Sequence, residues 1–438
     1  MSSVSAPVTR PAGNYRWFVC AMLFFATTIN YLDRQVMGWL KPHLALRFGW
    51  SETDYSHIVM AFTAAYAVGL VVFGRVIDKL SSRLSYTVSI TIWSIAAMLH
   101  AAVRSTVGFG VARTLLGLGE SGNFPAAVKT VAEWFPKKER ALATGFFDSG
   151  SNIGALLVPL VVPLILNAWG WQATFIITGS LGFLWLIAWR LFYQAPEKQP
   201  RLSAEELTYI RSDDNAAAEE AGAAISWWRL FSLKQTWAFI VGKFFTDPIW
   251  YFFLFWLPSY FSSTFHMDLK KPSLPMILVY TGATVGAIGG GFLSSWLIKK
   301  GRPVYKARKF ALLLSALAVL PIIATRYTGN MWLVVALLAL AIAGNAAWSA
   351  NIFTIVSDML PKKVVSSVIG IGSMAGAVGG VLFPMLVGAV LDYYKKAGHI
   401  TAGYNILFIF CGLSFLLAWL LIHVITPRMK PLDPAAIS

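Results

Sequence analysis

From Ser149 to Trp189 the chain carries no charged side chain, a run long enough to cross a lipid bilayer twice. A spanning helix needs roughly 20 mostly apolar residues. By that measure the sequence predicts twelve spans, at 17–40, 55–77, 85–104, 106–134, 141–166, 172–193, 236–262, 273–298, 309–326, 331–357, 365–392 and 403–426. The break in the longest run falls at Asn167-Ala168-Trp169-Gly170-Trp171, where glycine permits a turn and tryptophan suits the lipid–water boundary. In hydrocarbon every backbone polar group must be bonded within its own segment, so these runs read as helices and the chain as an all-α membrane protein.

Composition agrees. The sequence is 57% hydrophobic and 13% charged, whereas soluble domains hold about 45–50% apolar and about 25% charged residues. A soluble fold of this size has nowhere to hide so much apolar surface. The excess of 36 Lys+Arg over 20 Asp+Glu fits cytoplasmic loops loaded with positive charge. No basic run is interleaved with base-stacking aromatics outside the apolar spans, so no nucleic-acid partner is expected. Cys20 and Cys411 each lie inside an apolar span and read as small apolar fillers. Residues 1–16 are polar and the first apolar run is too long for a signal-peptide core, so no cleavable leader is expected.

Loop charge sets the orientation. With both termini inside, cytoplasmic loops hold Arg75/Lys79/Arg83, Lys137/Lys138/Arg140, the basic cluster 299–309 and Lys362/Lys363, while outer loops keep only scattered bases such as Lys41, Arg47 and Lys395. Residues 194–235 are long, polar and charged, with a short helix expected from Ser203 to Arg211. They read as a cytoplasmic linker between halves 1–193 and 236–438. The halves repeat: Glu133-Trp134-Phe135-Pro136-Lys137-Lys138 ends span four and Asp358-Met359-Leu360-Pro361-Lys362-Lys363 ends span ten, 225 positions later. At the same offset Gly145 matches Gly370, Gly154 matches Gly379, and Pro159 matches Pro384. Parallel repeats of six helices build one large transporter fold, with substrate held near the midplane between halves.

Charged side chains inside spans are costly, roughly 2.5–3.5 kcal/mol on insertion scales, and by default mark a functional site. Asp33 and Arg34 lie in span one; Arg113 and Glu120, seven apart, share a face of span four. By helix rise Asp33 is expected about 10–12 Å below the outer end of its span, with Arg113 at a similar depth and Glu120 deeper. Two acids and two bases can thus meet between these spans. Arg34 offers a planar fork to a carboxylate. Lys243 in span seven either holds the same anion from across the cavity or pairs with Asp247 at i+4; both readings stand. Tyr66, Ser151, Asn152, Asn345 and Asn351 can bond substrate hydroxyls, and Trp348 can stack on a sugar face. The alternative for each amide or hydroxyl is hydrogen bonding between helices.

Several motifs resemble the major facilitator superfamily. Gly74-x-x-x-Asp78-Lys79-x-x-x-Arg83 is similar to its loop signature, although the second copy near Gly291 has Ser294-Ser295 in place of the usual acid. Asn30-Tyr31-Leu32-Asp33-Arg34 and Arg113-x-x-x-Gly117-x-Gly119-Glu120-x-x-x-Phe124-Pro125 resemble the anion:cation symporter branch. Gly242-Lys243-Phe244-Phe245-Thr246-Asp247-Pro248 and Trp348-Ser349-Ala350-Asn351 resemble its bacterial hexuronate transporters. The resemblance implies twelve helices in two pseudo-symmetric halves, a monomer in the inner membrane, and proton-coupled uptake of a sugar acid such as glucuronate or galacturonate. It further implies that Asp33 and Glu120, with Arg113 beside them, carry the proton coupling, and that Tyr66, Ser151 and Asn351 touch the substrate. The alternative is the same fold carrying another organic anion, an aldonate or aromatic carboxylate, or working as an antiporter or uniporter.

Other chemistry lacks its residues. There is no G-x-S-x-G or H-E-x-x-H for an intramembrane hydrolase and no G-x-x-x-x-G-K-[ST] for ATP. No cofactor and no metal are expected. Gly289-Gly290-Gly291 and Gly376-x-x-Gly379-Gly380 read as close helix packing. Lys129, Glu133, Asp148 and Asp358 are expected near cytoplasmic helix ends, snorkelling or latching loops.

Overall fold

The computed structural model describes residues 13–212, 227–360 and 362–428. Among them all regular structure is helical. The first group is α1 (Tyr15–Phe48), α2 (Glu52–Lys79), α3 (Ser82–Leu99), α4 (Thr106–Glu120), α5 (Asn123–Trp134), α6 (Lys137–Asp148) and α7 (Gly150–Phe192). Two short helices follow, α8 (Ala204–Ile210) and α9 (Trp227–Phe231). The second group is α10 (Lys234–Phe265), α11 (Leu274–Lys299), α12 (Val304–Val319) with a 3-10 continuation (Leu320–Tyr327), α13 (Met331–Met359), α14 (Lys362–Lys396) and α15 (Ile400–Ile425).

Among the described residues, eight stretches are long and apolar enough to cross a membrane. The longest, Leu142–Phe192, is two rods in series, because Gly170 adopts φ 82° and ψ 178°, out of reach of a helix. The other expected spans are also rods, but less apolar. α1 buries Asp33, Arg34 and Lys41; α3 opens on Arg83 and carries a series of hydroxyls; α4 and α5 are parted at Ser121-Gly122. The first span also runs further than expected. α1 continues to Phe48, so Lys41 sits inside a helix rather than in a loop, neutralised by Glu52 at 2.5 Å.

α1–α7 pack on one another, and α10–α15 do the same. The tightest seam is α11 against α13. Gly282, Gly286 and Gly290, spaced four apart, face Ala339, Ala343 and Ala347, also spaced four apart. A Cβ on any of the three glycines would strike the opposing helix backbone. Without a hydrophobic drive in lipid, such small-residue stripes let dispersion contacts hold helices together. The expected glycine triplet contributes only its middle member, since a Cβ on Gly289 or Gly291 would meet nothing.

Both groups meet through α2–α14, α1–α10 and α7–α11. The contacts that define these seams lie at the end away from the termini. Asp392 of α14 accepts from Glu52 N at 2.7 Å, from Thr53 N at 2.8 Å and from the Thr53 hydroxyl, satisfying the orphan amides that open α2. Gly388 abuts Ser56, Gly38 abuts Leu254 and Phe255, and Tyr55 donates to Phe255 O at 3.1 Å. At the opposite end, α8 starts on the expected Ser203, whose Oγ accepts from Glu206 N. Glu206 then accepts from Tyr15 N and Arg16 N and pairs with Arg16 at 2.9 Å, capping α1.

Candidate transport site

Asp148 and Asp247 reveal where the interior is open. Helix rise places them about 17 Å and about 20 Å from the starts of α6 and α10, near mid-height. Yet Asp148 is exposed and the Asp247 side chain retains 28% of its surface. Asp148 of the first group lies within electrostatic range of Lys243 of the second. An exposed carboxylate at mid-height facing the other group requires a cavity between the groups. With the far end closed by α2–α14 and α1–α10, that cavity opens toward the end bearing the termini. Asp148 is therefore a cavity residue, not the loop-end residue expected from the sequence; α6 starts at Lys137 and carries it inward.

Arg34 anchors the cavity wall. Its Nε donates to Glu120 Oε2 at 2.8 Å, with both side chains at 2% exposure or less. Its Nη2 reaches Asn30 Oδ1 at 3.3 Å. The guanidinium lies 4.5 Å from the Tyr31 ring centre, 4.6 Å from Tyr66 and 5.2 Å from Phe62. Tyr251 of α10 is within electrostatic range, so both groups contribute to its surroundings. Aromatic faces stabilise a guanidinium without spending its hydrogen bonds.

The expected foursome of charges assembles, and the structure assigns its partners. Because α1 runs to Phe48, Asp33 lies about 22 Å from its end rather than about 10–12 Å, and Glu120, about 21 Å into α4, is level with it. Glu120 binds Arg34. Arg113 donates both Nη atoms to the Arg34 backbone carbonyl at 3.1 Å rather than to a carboxylate. Asp33 is buried and makes no hydrogen bond among the described residues. Thr178 and Arg113 are beside it.

Lys243 pairs with Asp247 at 2.7 Å and lies 4.6 Å over Phe353. Tyr66 is half-buried beside Arg34, and Asn152 is half-buried near Asp148 in the chain. Ser151 returns its hydroxyl to Asp148 O at 2.7 Å. Asn351 donates to Gly290 O at 3.0 Å and to Ala347 O at 2.9 Å, tying α13 to α11. Trp348 is buried edge-on against Phe415 at 5.5 Å, so in this conformation it presents no face for a sugar. Asn345 is buried with an unbonded Nδ2. Residues missed from the sequence are Tyr31, Phe62 and Tyr251. Tyr251 had a signal: Lys243, Asp247 and Tyr251 recur every four residues and share a helix face.

Of the loop-end expectations, Lys129 donates to Leu80 O, Glu133 accepts from Tyr193, and Asp358 pairs with Arg308 at 2.9 Å. Ser294 stands where an acid is usual and still accepts from Arg308 at 2.8 Å. The side chains of Gly74–Lys79 and of Lys362–Val364, and residues 213–226 of the linker, lie outside the described residues.

The family model described as Major Facilitator Superfamily matches residues 23–384 and 305–437. The chain belongs to the major facilitator superfamily. As a member it is a multi-pass membrane transporter of small molecules and not an enzyme. It is 30% identical over 426 residues, 96% of each chain, to the hexuronate transporter of Escherichia coli K12. It is 30% identical over 420 residues, 92% of this chain and 93% of the relative, to the probable galactarate/D-glucarate transporter of the same organism. A bacterial homolog of the human lysosomal transporter Spinster, solved inward-facing and occupied, shares the fold with a TM-score of 0.77 at 16% identity, over 97% of this chain and all of that one.

Proposed function

We propose that this superfamily member is a proton-coupled symporter that takes up a sugar acid such as a hexuronate by alternating access. The observation that carries the reading is the Arg34–Glu120 pair, sealed from solvent in the wall of a cavity at mid-height. An Arg held by one acid, the Asn30 amide oxygen and three aromatic rings is ready to exchange that acid for a substrate carboxylate. When Glu120 takes up a proton, its hold on Arg34 weakens and the guanidinium turns to the substrate. Asp33, buried beside Arg113 without a hydrogen bond, is the second proton site; a buried acid costs far less in its neutral form. Proton and anion thus enter together and the loaded carrier crosses near neutrality.

The rest of the reading follows the same frame. Halves 1–193 and 236–438, joined by the linker 194–235, rock about the far-end seams. Both termini lie in the cytoplasm of a bacterial inner membrane, so this conformation opens inward, and the working unit is a monomer. Tyr66, Ser151 and Asn152 supply hydroxyl contacts from the first half; Lys243, Asn351 and Trp348 serve from the second once the cavity closes and their present contacts rearrange. The relatives named for hexuronates and for galactarate or glucarate stand at the same 30% identity, which keeps other sugar acids as the second reading.

Vesicles carrying the protein, a proton gradient and labelled hexuronates, aldonates and aromatic acids test this. Glucuronate or galacturonate should accumulate only with the gradient. Equal uptake without it contradicts symport, and preference for an aromatic acid contradicts the substrate.

A further inference from the structure

The charges at the cavity do not balance. Around mid-height the described residues offer three cations, Arg34, Lys243 and the buried Arg113, against four carboxylates, Glu120, Asp247, Asp148 and the buried Asp33. Arg34 is matched to Glu120 alone. Lys243 is bonded to Asp247 at 2.7 Å and also feels Asp148 from the opposite group. Protonating Glu120 releases one cation, Arg34, for one substrate carboxylate. Nothing equivalent releases Lys243, because displacing Asp247 still leaves Asp148 facing it. Asp148 is exposed to a second carboxylate, whereas the Lys243 side chain keeps only 8% of its surface.

We propose that Asp148 is a charge filter: together with Asp247 it leaves Lys243 no net positive charge for a second carboxylate, so the cavity accepts monocarboxylate sugar acids and turns away dicarboxylates. The inference rests on the sugar-acid reading and deepens it. Asp148 is a specificity residue in this account; it does not hold the substrate. The hydroxyl end of a sugar monoacid bonds to Asp247 as a donor, which a carboxylate there cannot do.

Binding to the purified, full-length protein tests this without requiring transport. Titration compares galacturonate and galactonate, each with one carboxylate, against galactarate, with two. Galactonate and galactarate differ only in one terminal group, a primary alcohol or a carboxylate, so their ratio isolates the effect of that group. The better-bound monoacid should exceed galactarate in affinity by on the order of tenfold or more, the scale of one unscreened like-charge contact. Asp148→Asn should bring galactarate to within about threefold of that monoacid. Asp148→Glu, which keeps the charge, should retain the discrimination. Wild type binding galactarate as tightly as the monoacids overturns the filter and leaves the sugar-acid reading standing. Discrimination unchanged in Asp148→Asn overturns the role of Asp148. Binding of none of the three acids contradicts the sugar-acid reading and takes the filter with it.

Discussion

Arg34 and Glu120 form an ion pair of 2.8 Å across α1 and α4, eighty-six residues apart in sequence and shut off from solvent on both sides. A buried pair of this kind adds little stability of its own, but losing one partner strands the other at a cost of about 3–5 kcal/mol. The pair therefore separates two roles by mutation. Arg34→Ala should destabilise the protein and abolish sugar-acid binding, whereas Arg34→Ala combined with Glu120→Gln should regain stability and still not bind. Melting curves and titration of the same samples decide it. Binding in the double variant at wild-type affinity would mean that Arg34 serves only as Glu120's partner. Arg34→Lys should also bind poorly, since an ammonium lacks the two-pronged geometry.

Asp392 closes the far end by accepting from the first two amides of α2. Hydrogen bonds to a charged acceptor are worth about 1.5–3 kcal/mol each. Asp392→Ala should therefore shift the protein toward opening at that end. A cysteine placed at Ser56, now buried opposite Gly388, reports it, because Cys20 and Cys411 are both buried. Labelling of Ser56→Cys should rise at least about tenfold in the Asp392→Ala background. Unchanged labelling would mean that the apolar seam alone holds the end shut.

The α11–α13 seam gives a paired test of packing. Gly286→Leu should drive the helices apart and lower the melting temperature or abolish folding, because its Cβ would overlap Ala343. Gly289→Leu, three residues on and facing open space, should behave as wild type. Equal effects from both would contradict the seam.

Much of this was legible in the sequence where the signal is local. The long apolar runs, the Gly170 break, the Ser203 cap and the repeat between Glu133 and Asp358 each depend on residues near one another in the chain. What escaped depends on pairing at a distance. The sequence brings Asp33, Arg34, Arg113 and Glu120 to one place, but which acid meets which base turns on where α1 ends, and its extension to Phe48 moved Asp33 inward. Glu206 capping α1, and Asp392 capping α2 from the other group, join residues whose types say nothing about their partner. The glycine triplet at 289–291 masks the four-residue spacing of Gly282, Gly286 and Gly290, which is the informative pattern. Asp148 reads as a loop-end residue because a charge after a loop looks the same in sequence whether its helix carries it outward or in.

Orientation follows from loop charge. A cysteine at Ser203, the cap of α8, should resist a membrane-impermeant reagent added to intact cells and react once the membrane is opened. Labelling in intact cells would reverse the assignment of the cavity to the cytoplasmic side.

The most direct test of proton-coupled symport is Glu120→Gln, which keeps the side chain's size and hydrogen-bonding capacity but cannot titrate. Two measurements on one preparation of vesicles decide it: accumulation of a labelled hexuronate under a proton gradient, and counterflow exchange with no gradient. Exchange needs only the loaded carrier to cross, while accumulation needs the empty carrier to return without its proton. Glu120→Gln should lose accumulation and keep exchange; accumulation at the wild-type level would show that the proton travels by another route and contradict the role assigned to Glu120.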